Sequence, residues 1–298
     1  MKPLTSHTCK LTDAQALALN AALLARDWKP RTVPYARFAF ESDKCNVVFY
    51  ESGKLVVQGK NTEEFVQNIL EPEVTGAALL GYEEVHHPDW FELHAGCDEA
   101  GKGDVFGPLV TACVVMGGEQ VRELTRAGVR DSKKISDGEI MKLEKIIRDT
   151  RGVAVTTAQC SMEKYNELMS KPGANLNRLL SWLHSRSLGD ALDKKPAPWG
   201  LLDQFATRDN INQYLARPDF DLKRRTKAES DPVVAAASII ARAGFLRGMR
   251  SLSEKAGEKL MKGASREAQK QFAALRERLG VDRMNEFAKL HFKLKSLL

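Results

Sequence analysis

The chain has 298 residues, 43% hydrophobic and 28% charged, which excludes a disordered or fibrous protein and leaves room for two domains or one large one. Its net charge of +6 is unevenly spread: residues 1–85 hold nine Lys/Arg against eleven Asp/Glu, leaving +8 on residues 86–298. A basic second part suits a polyanion such as nucleic acid, although basic composition alone is common.

Residues 11–26 have the pattern of a helix, with Thr12 or Asp13 as cap and Trp28-Lys29-Pro30 as its stop. The apolar patch at 16–24 contains Asn20 and has no basic leader before it, so it reads as helix and not as a signal peptide. Three strands are predicted next, Tyr35–Glu41, Cys45–Glu51 and Lys54–Gln58, the last two joined by a Ser52-Gly53 hairpin turn. A helix from Asn61 through Leu70, closed at Glu71-Pro72, completes a small α+β unit. The unit has no acid pair, His pair or Gly-rich loop; Lys44, Lys54 and Lys60 are candidates for one basic surface. Residues 71–91 read as the connection between two domains.

The second part begins with Gly96–Pro108, GCDEAGKGDVFGP, a Gly-rich turn between the short apolar run Trp90, Phe91, Leu93 and the β-branched strand Leu109–Met116. Helices are expected over Asp137–Asp149, with a Ser136/Glu139 capping box, over Ser161–Met169 and over Asn175–Leu192. Strands are expected at Gly152–Cys160, Trp199–Asp203 and Asp219–Lys227. Asp231-Pro232 marks the start of the most helix-prone segment, and two further helices are placed at Ser265–Leu279 and Asp282–Leu290. No stretch reads as long enough to span a membrane. Five cysteines without CxxC spacing fit reduced thiols in a cytosol and argue against structural zinc.

Asp98/Glu99, Asp203 and Glu229 each fall at a strand end or helix start beside a basic or Gly-rich segment. If the strands ending at Asp98 and Asp203 are neighbours, their carboxylates meet and Glu229 can close the group. Clustered carboxylates repel unless a cation compensates, and an all-oxygen set favours Mg²⁺ or Mn²⁺ over zinc. Two such ions with basic surroundings make a nuclease-like constellation.

GCDEAGKGDVFGP, DSKK, LLDQFA and AESDPVVAAASIIAR, in that order, resemble the type 2 ribonuclease H family over most of residues 93–250. The N-terminal unit, the LDQF sequence, a Glu in the fourth acidic position and the closing KLHFK (289–293) resemble its ribonuclease HIII branch. The resemblance implies an α/β ribonuclease H-like mixed sheet flanked by helices over residues 90–298. It implies a TATA-binding-protein-like, substrate-binding domain over residues 1–85. It also implies hydrolysis of the RNA strand of RNA/DNA hybrids with two Mg²⁺ or Mn²⁺ ions, leaving 5′-phosphate and 3′-hydroxyl ends. By motif, Asp98 and Glu99 match the first two metal-binding acids, Asp203 the third and Glu229 the fourth. Asp231 is the rival for the fourth place, but it is better used as the cap before Pro232.

Gly101, Lys102 and Gly103 match the family's G-x-G segment, whose backbone reads the 2′-hydroxyl; glycine lets the main chain come close to it. Lys133 and Lys134 are expected on phosphates, and Arg242 and Arg247 either on the nucleic acid backbone or turned to solvent. The six histidines show no ligand spacing, His94 reads as structural, and Trp182 and Trp199 as core. One alternative is ribonuclease HII-like incision at single ribonucleotides in duplex DNA; against it, no tyrosine follows Glu229, the last being Tyr214. Another is a non-catalytic hybrid-binding protein. A cytoplasmic monomer without membrane contact is the expectation.

Overall fold

The computed structural model describes residues 4–42, 44–76 and 83–291, and the chain divides into two compact units, Met1–Asp89 and Trp90–Leu298. In the first, β1 (Ser6–Lys10), α1 (Asp13–Leu24), β2 (Lys29–Pro30), β3 (Ala36–Ser42), β4 (Cys45–Tyr50) and β5 (Lys54–Gly59) precede α2 (Thr62–Phe65). The sheet is antiparallel with order β1-β5-β4-β3-β2. Burial alternates along β4 and β5 and puts Val47, Phe49, Leu55 and Val57 on one face, where Leu19 and Leu23 of α1 and Phe65, Val66 and Leu70 cover them. Thr12 caps α1 in a reciprocal capping box with Gln15.

Two features differ from the sequence expectation. The sheet has five strands, not three: β1 and β2 are added at its edges. Ser6–Lys10 has no apolar run to announce it, and Pro30 lacks a backbone donor, which an edge tolerates. The helix also does not stop at Pro72; α2 continues as a π-helix over Val66–Thr75, through Pro72, and ends at Gly76 with φ 67. A short α3 (Glu83–His86) and a 3₁₀ turn (Pro88–Phe91) come next. Part of the expected connection, residues 77–82, lies outside the described residues.

The second unit contains β6 (His94–Ala100), β7 (Leu109–Met116), α4 (Gly118–Ala127), α5 (Asp137–Asp149), β8 (Ala154–Cys160), α6 (Met162–Met169) and α7 (Leu176–Lys194). The chain then runs through β9 (Trp199–Asp203), α8 (Ile211–Tyr214), β10 (Asp221–Arg225), α9 (Pro232–Ala256) and α10 (Arg266–Leu279). The mixed sheet has order β10-β9-β6-β7-β8, with β10, β9 and β6 parallel and β7 antiparallel to both β6 and β8. All eight residues of β7 are buried because helices cover both faces, which removes the alternation a one-sided strand would show. On one face Ile239, Ile240 and Ala243 of α9 pack with Ile140 and Ile147 of α5; on the other, Leu188 and Leu192 of α7 meet Cys97, Cys113 and Leu202.

The strand carrying Asp98 and Glu99 is His94–Ala100 itself, whereas Trp90 and Phe91 belong to the preceding 3₁₀ turn. The Ser136 hydroxyl accepts the Glu139 N–H at 3.3 Å and starts α5. Trp199 is buried, but Trp182 is exposed on the outer side of α7 and is not core. The last predicted helix shrinks to a 3₁₀ turn at Asp282–Glu286. α9 is long and apolar enough to cross a membrane, contrary to the reading of the sequence alone, yet 67% of that stretch is buried inside the fold, as befits a central core helix.

Gly96 lets α9 reach the sheet. A Cβ there would stand 2.5 Å from the Val233 carbonyl carbon and the Val234 nitrogen, so backbone meets backbone. Gly96→Ala must push the helix away, and overpacking of this kind costs about 1–3 kcal/mol. The denaturant midpoint of the variant is expected to fall accordingly at an unchanged m-value.

Candidate active site

β6 and β9 are adjacent and parallel, paired through Ala95↔Gly200, Gly96↔Leu201 and Cys97↔Leu202. Asp98 and Asp203 each lie one residue beyond the last pair, at the same end of the sheet. Sequence alone leaves this adjacency conditional, and the topology supplies it. The Asp98 carboxylate accepts the Glu99 N–H at 2.7 Å, and the Asp203 carboxylate accepts the Ala228 N–H at 2.9 Å. That second bond holds the 3₁₀ turn Ala228–Ser230, which carries Glu229. The turn is reached through Lys227 at φ 58, a left-handed conformation unfavourable for a lysine. Asp231 takes the other role: its carboxylate accepts the Val233 and Val234 N–H groups at 2.8 and 3.3 Å and is fully buried against His94 Nε2 at 3.2 Å. His94 stacks on Trp199 with centroids 4.2 Å apart, so it is structural here.

The acids feel one another. Burial, then Glu99 and Asp203, raise the Asp98 carboxyl well above the usual carboxylate range. Burial also raises Asp203, aided by Glu229 and Glu99 and opposed by the Ala228 hydrogen bond and Lys133. Lys133 Nζ lies 3.4 Å from Glu229 Oε1; burial would lower its pKa, but Glu229 and Asp98 outweigh that and raise it. Among the described residues no three His, Cys, Asp or Glu side chains stand close enough to enclose an ion as placed. In kind, however, the set fits a hard divalent cation. Its donors are all oxygens, their mutual repulsion calls for positive charge, and Glu229 Oε2 is buried without a hydrogen-bond partner among the described residues.

The Gly-rich loop arches beside these acids. Gly101 adopts φ 90, and a Cβ on it would stand 2.1 Å from the Pro108 carbonyl oxygen, so only glycine fits. A Cβ at Gly103 would meet no atom within 4 Å, which leaves this part of the loop open to a ligand. Lys102 departs from the expectation of a free phosphate contact. Its ammonium donates to the Phe205 carbonyl at 2.5 Å and lies 5.6 Å from the Phe205 ring centre. Arg242 and Arg247 likewise engage α5, Arg242 through Asp137 at 3.2 Å and Arg247 through Glu144. The Lys134 side chain lies outside what the structure describes.

Two further residues at the site are not among those the sequence singles out, although Lys289 opens the KLHFK segment. His184 on α7 is buried, with Nε2 3.2 Å from Glu99 Oε2. Burial alone would push its imidazole down, but Cys97 and Glu99 outweigh this and hold it up at about 9. Lys289, at the end of the chain's described part, is buried and donates from Nζ to the Asp104 and Gly107 carbonyls at 2.9 and 2.6 Å, pinning the Gly-rich loop from beneath. Within KLHFK, Phe292 and Lys293 lie outside the described residues. His184 could have been found only by knowing that α7 packs under β6, and Lys289 only by knowing where the tail returns.

Comparison with known proteins bears on this geometry. The family model for ribonuclease HII matches residues 95–295, and a domain of unknown function (DUF3378) matches residues 9–77. Ribonuclease HIII of Protochlamydia amoebophila is 36% identical over 88% of this chain and 86% of its own length. Ribonuclease HIII of Chlamydia trachomatis serovar L2 is 37% identical over 87% and 86%. Among solved structures, Bst-RNase HIII in complex with Mn²⁺ is similar with a TM-score of 0.65 at 28% identity, covering 97% of this chain and 96% of that one. Aquifex aeolicus RNase H3 gives 0.56 at 26% identity, covering 95% and 99%. With the expected motifs gathered at one end of a ribonuclease H-like sheet, the chain belongs to the type 2 ribonuclease H family, in its ribonuclease HIII branch.

Proposed function

We propose that this metal-dependent ribonuclease H cuts the RNA strand of RNA/DNA hybrids at Asp98, Glu99, Asp203 and Glu229, leaving 5′-phosphate and 3′-hydroxyl ends. The observation that supports the reading is that Asp98 and Asp203 leave adjacent parallel strands at the same end of the sheet, with Glu229, one oxygen of which is orphaned, on a turn hydrogen-bonded to Asp203. Divalent Mg²⁺ or Mn²⁺, when bound, supplies polarisation of the attacking water and neutralises charge at the leaving oxygen. The chain's own residues set the stage for this. Asp98 is oriented by the Glu99 N–H, Asp203 by the Ala228 N–H, and Lys133 offers an exposed ammonium beside Glu229 where a phosphate oxygen would approach. Gly101 and Gly103 bring the main chain to the ribose, where the 2′-hydroxyl is the local difference between RNA and DNA. Lys102 serves this loop as an internal tether through Phe205.

Nucleic acid binding is supported by the +8 charge on residues 86–298 and by an open groove of ≈ 620 Å³ beginning at Ala206, three residues after Asp203. Arg178 and Arg208 line it beside Asn175, Asn177 and Asn210, a set suited to backbone phosphates. The N-terminal domain, read as TATA-binding-protein-like, adds affinity for the hybrid by shape and phosphates. The protein acts in the cytoplasm as a monomer, without a membrane partner.

Asp98→Asn should abolish cleavage of a labelled hybrid while leaving hybrid binding intact; near-normal turnover would refute the site. The same variant reports on charge repulsion. A carboxyl whose folded pKa is raised contributes stability that is present below the ordinary carboxylate range and lost as pH rises through the raised value. At neutral pH in chelator, Asp98→Asn, which keeps an oxygen for the Glu99 N–H, should therefore melt above the wild type, and the gap should close as pH falls below the ordinary carboxylate range. Deleting residues 1–85 should weaken hybrid binding and leave the chemical step intact, as gel shift and single-turnover cleavage would measure. A duplex with one embedded ribonucleotide should be cut far more slowly than one with a long RNA strand; efficient incision there would favour the HII-like reading.

A further inference from the structure

We propose that His184 is a positioning residue of the active site, holding the Glu99 carboxylate in its working orientation and joining it to the loops on either side. The inference rests on the assignment of Glu99 above. Among the described residues Glu99 is otherwise placed by its strand, and a glutamate side chain with three free torsions needs a partner to present its oxygens consistently. His184 is 1% exposed and meets Glu99 Oε2 at 3.2 Å through Nε2, so it approaches the carboxylate from inside the protein and leaves the outer side to ligands.

The imidazole is itself fixed. Its ring stacks on Phe205 at 5.1 Å with planes 7° apart, and Phe205 lies two residues beyond Asp203. Phe205 is tied in turn to Lys102, through its carbonyl at 2.5 Å and its ring at 5.6 Å. One continuous column, Lys102–Phe205–His184–Glu99, thus links the Gly-rich loop, the segment after the third acid and the second acid. The helix under His184 is locked as well. Ser187 Oγ lies 3.2 Å from Thr111 Oγ1 of β7, and the Ser187 carbonyl accepts the Thr156 hydroxyl of β8 at 2.6 Å. His184 therefore cannot shift without moving α7 on the sheet. Buried behind Glu99, it acts through that carboxylate and not on substrate.

The test uses the full-length chain. His184→Phe keeps the stack on Phe205 and removes the donor; His184→Gln keeps an amide donor and removes the ring. For each, we would measure thermal midpoint, Mn²⁺ binding by calorimetry without substrate, and kcat and KM on a long RNA/DNA hybrid. Loss of a partner that orients a metal-binding carboxylate typically costs about 10–100-fold in metal affinity or activity. His184→Phe should show that loss in Mn²⁺ affinity and kcat, with KM for the hybrid near wild type, and His184→Gln should recover most of it. Wild-type Mn²⁺ affinity and kcat in a folded His184→Phe would overturn the proposal, as would equal losses in both variants, which would mark a packing role only. Glu99→Gln separates the two levels: if it still cleaves, the site assignment fails and not the contact from His184.

Discussion

Backbone-to-backbone contact between the first turn of α9 and Gly96 of β6 is the constraint on which the site depends. It draws a 25-residue helix onto the strand that carries Asp98 and Glu99, and it brings the start of that helix to the edge where β9 ends. The helix start is closed by Asp231, whose buried carboxylate satisfies two N–H groups and meets His94. Asp231 Oδ1 is taken up by the cap and His94, while Glu229 on the preceding turn stands beside Lys133 and near Asp203.

Around this contact the molecule places repelling charges and then limits their freedom. Burial with neighbouring carboxylates raises Asp98, a destabilising arrangement that a folded core of this size can absorb. The compensating elements are local: the Glu99 N–H on Asp98, the Ala228 N–H on Asp203, Lys133 on Glu229 and His184 on Glu99. The Gly-rich loop is likewise held from two sides, by Lys102 to Phe205 and by Lys289 to the Asp104 and Gly107 carbonyls. Its free glycine, Gly103, sits between anchored neighbours, so an open backbone is presented without a loose loop. Desolvation lowers the Lys289 ammonium to about 8, since its partners there are carbonyl oxygens with Asp104 the nearby carboxylate.

The basic side chains divide by what they touch. Arg242 and Arg247, which the sequence leaves open between nucleic acid and solvent, are spent on Asp137 and Glu144 and tie α9 to α5. Lys133 remains exposed beside Glu229, and Arg178 and Arg208 line an open groove with Ala206 and Thr207. Basic side chains therefore divide into internally paired and exposed shares that composition cannot separate.

The sequence by itself determined what local chemistry decides. Thr12, Ser136, Asn175, Asp231 and Ser265 announce helix starts because a side-chain oxygen next to a helical run has one use, and each of them caps its helix. The β-branched run Leu109–Met116 announced β7, the short apolar run Trp199–Leu202 announced β9, and the order of the acidic and glycine motifs pointed to the family. What only the tertiary structure decided is whatever depends on a partner distant in the chain. β1 has no apolar pattern and exists because β5 offers it an edge; the helix runs on through Pro72 as π-helical turns, which no local pattern in the sequence marks. Trp182 looks like core by type and lies outside because α7 turns that side to solvent. His184 has no spacing to flag it and Lys289 only its place in KLHFK, and they reach Glu99 and the Gly-rich loop across 85 and more than 180 residues of chain. Such contacts are set by packing of distant segments, and sequence proximity carries no trace of them.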